Sequence, residues 1–240
     1  MPDMDLGDVT IHYEEAAADK PMAIVFCHGL GGNGAGFVSH FDFWSPYFRC
    51  LTWDNRGLGK SSQAAKYNLP LYASDLARLM DKLGIAQAIV HGVSWGGVVV
   101  QQFALDYPEK CAAIVLDSTS SEVNVAASEG WYARGEAVKS GANANVPPEH
   151  RDSFIAEART TASLREHPLT PRLKEIKCPT LVVGGGQDNV AGAAGSVILG
   201  RTIPGAKLEI LQEAGHGIIN QAPDRFRELV LAFAKENALL

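Results

Sequence analysis

The sequence predicts a protein of the α/β class, with a mostly parallel central sheet flanked by helices. Short apolar runs alternate along the chain with longer amphipathic segments, the pattern of buried strands joined by crossover helices. Four of those runs end in glycine-rich turns that also carry polar side chains, and in such a sheet the strand ends are where reactive groups gather. At 240 residues, 46% of them hydrophobic and 20% charged, the chain has the size and composition of one large globular domain.

Taken in order, Val9 to Glu14, Ala23 to Cys27 and Phe48 to Trp53 read as strands, and Leu71 to Leu83 as a helix. The run Ala88-Ile89-Val90 is the strand that delivers Ser94. Val98 to Tyr107 is a helix stopped by Pro108, and Ala112 to Leu116, Thr180 to Val183 and Leu208 to Leu211 complete the sheet. Between Asp117 and Pro171 no strand is visible; helix-like segments with Trp131, Tyr132, Phe154 and Leu164 are separated by Gly141 to Pro148. The expected division is a core of residues 1–120 and 171–240, with a small helical cap, 121–170, inserted after the strand that follows Ser94. Asn143 to Pro148 has the composition of a loop at the cap's edge, either a mobile lid element or an inert turn.

The most informative segment is Gly92-Val93-Ser94-Trp95-Gly96, between a strand and a helix. A serine on such a turn sits in strained backbone geometry, and glycines two positions to either side leave room for the neighbouring strand and helix. This is a nucleophile elbow. Three further strand-end segments accompany it: His28-Gly29-Leu30-Gly31-Gly32, Gly185-Gly186-Gln187-Asp188 and Gly215-His216-Gly217.

The resulting chain order, Ser94, Asp188, His216, resembles the α/β-hydrolase superfamily, and the resemblance runs from about Val9 to the C-terminal helix. A narrower likeness, over about twenty residues, joins Gly92 to Gly97, Gln101-Gln102-Phe103-Ala104 and Asp106-Tyr107-Pro108 to the elbow of intracellular polyhydroxyalkanoate depolymerases and their esterase relatives. The implied architecture is the α/β-hydrolase fold. The implied chemistry is cofactor-independent hydrolysis of a carboxylic ester through an acyl-enzyme, with Ser94 as nucleophile, His216 as base and Asp188 orienting it. Asp117, at the end of the strand after the elbow, is the rival acid. The oxyanion would be bound by the Trp95 N–H and, on the superfamily pattern, the Leu30 N–H. Phe37, Trp131 and Tyr132 are candidate pocket residues. His28 and His91 also follow strands, each before a glycine, and structural roles are expected for both.

Several alternatives stay open on sequence. Enol-lactone opening, carbon–carbon cleavage and cofactor-free haloperoxidase or perhydrolase chemistry all use the same triad, and a noncatalytic ligand-binding receptor could keep the fold. Gly29-Leu30-Gly31-Gly32-Asn33-Gly34 with Asp54 also satisfies a dinucleotide-binding fingerprint, but that reading leaves Ser94 and His216 unexplained. Asp54 to Ser61 resembles a structural turn of the superfamily, in which Arg56 pairs with a carboxylate or a backbone carbonyl. No cofactor or metal is expected. The four cysteines, Cys27, Cys50, Cys111 and Cys178, lack zinc spacing and read as buried free thiols. A formal charge of −6 without clustered Lys and Arg argues against nucleic acid, and no apolar stretch is long enough to insert in a membrane. The N-terminus shows no secretory pattern, so a cytoplasmic address is expected. The expected partner is a small-molecule ester or lactone substrate; the sequence sets no oligomeric state.

Overall fold

The computed structural model describes residues 2–240. Its strands are β1 (Asp3–Asp5), β2 (Thr10–Ala16), β3 (Ala23–Cys27), β4 (Arg49–Trp53), β5 (Ala88–Val93), β6 (Cys111–Asp117), β7 (Thr180–Gly185) and β8 (Lys207–Leu211). They form one sheet in the order β1-β2-β4-β3-β5-β6-β7-β8. The first two strands run antiparallel to their neighbours, and all pairings from β4 to β8 are parallel.

The helices are α1 (Ala35–Val38), α2 (Phe41–Trp44), α3 (Leu69–Lys82), α4 (Trp95–Asp106), α5 (Val125–Lys139), α6 (Arg151–Ser163), α7 (Gly192–Thr202), α8 (Ile218–Gln221) and α9 (Pro223–Glu236). Among the described residues, none is long and apolar enough to cross a membrane.

Because side chains alternate across a strand, each central strand serves two layers of core. In β3, Ala23, Val25 and Cys27 face one layer, with Leu76, Met80, Val99 and Phe103 of α3 and α4. Ile24 and Phe26 face the other, with Phe37, Trp44, Phe226 and Val230 from α1, α2 and α9. Strands buried on both faces read as continuous apolar runs, and so β3 matches its expected limits residue for residue. Strand β1 has no such signal: its three residues, Asp3-Met4-Asp5, are largely exposed at the sheet edge.

Helix α3 starts where Asn68 caps it, its side chain accepting the Leu71 N–H at 3.0 Å, with Pro70 in the first turn. Arg56 is buried beneath it and donates from Nε and Nη2 to the two carboxylate oxygens of Asp75 at 2.6 and 2.7 Å, and from Nη1 to the Lys66 carbonyl. Asp54 is committed in the same turn, accepting the Gly34 N–H at 2.6 Å and the Lys60 N–H at 2.7 Å. Between β6 and β7 the chain forms no strand; α5 and α6 lie there and pack against each other. All four cysteines are free thiols; Cys27, Cys50 and Cys111 are buried as expected, and Cys178, which precedes β7, is only half-buried.

Candidate active site

Ser94 lies between β5 and α4 with φ 55° and ψ −119°, a backbone conformation that non-glycine residues rarely adopt. Its surroundings hold it there. The Ser94 N–H donates to the Asp117 carbonyl at 2.9 Å, and the Ser94 carbonyl accepts from Thr119 Oγ1 at 2.6 Å and from the Gly97 N–H at 2.9 Å. The flanking glycines follow from the sharpness of the turn. A Cβ on Gly92 would stand 2.4 Å from the Gly96 carbonyl oxygen, and one on Gly96 would stand 2.2 Å from that of Cys27. Backbone cannot yield by such distances without moving the strand.

Asp188 lies in the loop after β7, and His216 in the loop after β8. The two loops are stitched together by the Gln187 N–H donating to the Ala214 carbonyl and the Gly186 N–H donating to that of Leu211, both at 2.9 Å. His216 Nδ1 comes within 2.9 Å of Asp188 Oδ2. The other carboxylate oxygen, Oδ1, accepts the Val190 and Ala191 N–H groups at 2.8 and 3.1 Å. Burial by itself would raise the Asp188 carboxyl; the hydrogen bonds from His216, Val190 and Ala191 outweigh it and hold the pKa below the ordinary aspartate value. An ionised Asp188 selects the imidazole tautomer with its proton on Nδ1, leaving Nε2 as the basic atom. The imidazole side chain is 29% exposed, and among the described residues no hydrogen bond joins it to the Ser94 hydroxyl.

The rival acid is held elsewhere. Asp117 is fully buried at the end of β6, with His91 Nε2 at 3.5 Å and no hydrogen bond to either carboxylate oxygen. His91 packs edge-on against Phe26 and Phe226 in the core. His28 is structural as well: its Nε2 accepts the Asn55 N–H at 3.0 Å, so Nδ1 donates to the Gly29 carbonyl at 2.8 Å. Burial lowers its pKa and keeps that neutral form.

A cavity of about 330 Å³ opens beside Ser94. Leu30 and Trp95, the predicted oxyanion donors, both line it. Neither of their N–H groups donates a hydrogen bond within the described residues, so both are free for a substrate oxygen. The apolar wall includes Val98, Val123, Leu164 and Ile198, and the polar groups include Ser120, Glu122, Asn124 and Thr161. Glu122 is held from Thr170 Oγ1, which donates to its Oε2 at 2.6 Å. No lysine, arginine or histidine is among the lining side chains.

Of the three aromatic residues expected around the pocket, Trp131 is in its wall. Phe37 is not: it stacks on Phe26 at 5.3 Å in the core on the other face of the sheet. Tyr132 is 54% exposed, because one step along α5 rotates a side chain by about 100° away from its neighbour's direction. The sequence reading passed over Glu122 and Glu157. Nothing in the local pattern separates an acidic residue that turns inward from one on a solvated face.

A sequence profile of the alpha/beta hydrolase fold family matches residues 22–152, which spans the predicted oxyanion loop and the elbow. The chain belongs to the alpha/beta hydrolase family. As a member of that family it is similar to 3-oxoadipate enol-lactonase 2 of Acinetobacter baylyi, with 27% identity over 95% of this chain and 94% of that one. It is also similar to the 2-hydroxy-6-oxo-6-phenylhexa-2,4-dienoate hydrolase of Comamonas testosteroni, with 25% identity over 97% and 93% of the two chains. Among solved structures, a hydrolase from Pseudomonas aeruginosa PA01 superposes with a TM-score of 0.81 at 25% identity, covering 97% of each chain. This alpha/beta hydrolase thus matches its relatives along nearly their whole length.

Proposed function

We propose that this chain is a serine hydrolase that cleaves a small, uncharged carboxylic ester or lactone through an acyl-enzyme. The observation that carries the reading is the pairing of His216 with Asp188 at 2.9 Å, in a chain whose elbow holds Ser94 at φ 55°.

Ser94 Oγ attacks the carbonyl carbon while its proton passes to His216 Nε2. The carbonyl oxygen becomes an oxyanion held by the Leu30 and Trp95 N–H groups, donors that are each worth about 10²- to 10³-fold in rate where they have been removed in other enzymes. Collapse of that intermediate breaks the bond to the alcohol oxygen, which takes the proton from His216. Water then attacks the Ser94 ester with His216 again as base, releasing the acid and restoring the serine. Asp188 stays ionised throughout and stabilises the imidazolium that forms twice per cycle. In this reading residues 121–170 act as the cap, supplying Trp131, Thr161 and Leu164 to the wall of the acyl pocket.

The names of the two curated relatives describe substrates bearing carboxylates. A carboxylate buried in this cavity would meet Glu122 and no cation, and an unpaired buried charge is costly. That supports a neutral acyl group here. Enol-lactone opening remains the second reading, favoured by the likeness to the enol-lactonase, for a lactone without a free carboxylate.

The test compares wild type and Ser94→Ala on p-nitrophenyl esters of rising acyl length, together with p-nitrophenyl butyrate against its ω-carboxylate counterpart, mono-p-nitrophenyl glutarate. Turnover that vanishes with Ser94 and a kcat/KM at least about tenfold lower for the charged ester supports the reading. Equal or better use of the charged ester would contradict the neutral pocket, and unchanged turnover in Ser94→Ala would contradict the nucleophile.

A further inference from the structure

The carboxyl of Glu157 is one of three fully buried acidic groups, with Asp75 and Asp117, that the reaction above does not use. It projects from α6 and is 0% exposed. Its Oε2 accepts the Gly31 N–H at 2.8 Å, and its Oε1 accepts Asn55 Nδ2 at 3.0 Å. Gly31 directly follows Leu30, the residue whose N–H is assigned to the oxyanion. Asn55 in turn donates its own N–H to His28, whose ring holds the Gly29 carbonyl. The loop is therefore gripped on both sides of Leu30: at Gly29 by His28, and at Gly31 by Glu157. The same helix closes the second side sterically, since Gly31 has φ +65° and the Phe154 ring occupies the space where a Cβ would stand, at 2.7 Å.

Resting on the hydrolase reading, we infer that Glu157 is a positioning residue that clamps the Leu30-Gly31 segment from α6 and so couples residues 121–170 to the oxyanion site. A group placed here for stability alone would be apolar, because a fully buried carboxyl is expensive and can often be replaced by apolar atoms of similar volume with no loss. What the carboxyl supplies and an apolar side chain does not is a pair of acceptors aimed at Gly31 and Asn55. The Trp95 indole N–H also faces this carboxyl and has no hydrogen-bond partner of its own, which brings the elbow into the same cluster. Burial pushes the Glu157 carboxyl up to about 8, against the lowering effect of Gly31, Asn55 and Trp95, so the group sits where few carboxyls would be tolerated without a purpose.

The experiment measures kcat and KM for p-nitrophenyl acetate, melting temperature, and amide exchange over residues 28–34 in wild type, Glu157→Ala, Glu157→Met and Glu157→Gln. Methionine fills the volume without an acceptor and serves if alanine does not fold; glutamine keeps an oxygen for Gly31. The expected result is a kcat lowered about 10- to 100-fold in the alanine or methionine variant, with KM changed less than about threefold, because a displaced oxyanion donor acts on the transition state. Exchange at Gly31 should quicken in the same variants, and glutamine should restore kcat to within about threefold of wild type. A methionine variant that melts lower yet keeps kcat would overturn the inference and leave Glu157 as a packing residue. A wild type with no esterase turnover and no adduct at Ser94 would instead overturn the hydrolase reading, and this inference with it.

Discussion

His216 Nδ1 lies 2.9 Å from Asp188 Oδ2, although 28 residues of chain separate the two. The loops that bring them together are the ends of adjacent parallel strands, β7 and β8, so the contact is a consequence of strand order rather than of local sequence. Asp117 ends the next strand over, where His91 Nε2 is the nearest basic group at 3.5 Å and no hydrogen bond joins them.

That arrangement predicts opposite outcomes for two aspartates. Asp188→Asn should keep the hydrogen bonds from Val190 and Ala191 while favouring the wrong imidazole tautomer, lowering kcat by about 10³- to 10⁴-fold. Asp117→Asn should leave kcat within about tenfold of wild type. Steady-state kinetics on one activated ester decides between them, and the reverse ranking would move the acid to β6.

The strain at Ser94 gives a stability prediction. Ser94→Gly relieves a positive φ that Ser94→Ala retains, so the glycine variant should be more stable than the alanine variant by roughly 1 kcal/mol. Urea unfolding of the two inactive proteins measures the difference, and equal midpoints would mean that the elbow is not strained.

Glu157 and Asp188 predict pH effects of opposite sign. Glu157 has a folded pKa of about 8 against an ordinary value of 4.5, so the folded chain holds a proton that the unfolded chain releases. Stability from this group is full below about pH 4.5 and is lost as pH rises through about 8, a loss on the order of 5 kcal/mol. Glu157→Gln cannot ionise, so its melting temperature should match wild type near pH 5 and exceed it increasingly up to pH 9. For Asp188 the folded pKa is lowered, so its contribution is present above the ordinary aspartate range and is lost as pH falls through the folded value. A Glu157→Gln advantage that does not change with pH would show that the carboxyl is not strongly shifted.

Trp131 bounds the cavity from α5. Trp131→Ala should shift the preferred p-nitrophenyl ester to a longer acyl chain, and an unchanged chain-length profile would place the acyl group elsewhere.

Much of this architecture was legible because its strands are buried on both faces. Ala23 to Cys27 and Leu181 to Val183 show uninterrupted apolar runs, and the glycines around Ser94 mark close backbone approaches; those beside His216 do not, with Gly215 and Gly217 in little more than ordinary contact with Gln221. Strand β1 was not legible, being short, polar and held mainly by pairing with β2. Phe37 shows a different limit: an aromatic residue in α1, the short helix after β3, can turn to either face of the sheet, and here it joins the core layer opposite the pocket side. Glu157 was missed because a glutamate among Ile155, Ala156 and Ala158 has no local mark of burial; only the long-range approach of Gly31 and Asn55 gives it one.

The measurement closest to the central claim is intact-mass analysis after fluorophosphonate treatment of wild type, Ser94→Ala and His216→Ala, followed by peptide mapping. The account predicts one adduct on wild type at Ser94, none on Ser94→Ala, and labelling slowed at least about 100-fold in His216→Ala. An adduct on Ser94→Ala, or a wild type left unlabelled, would contradict Ser94 as the activated nucleophile.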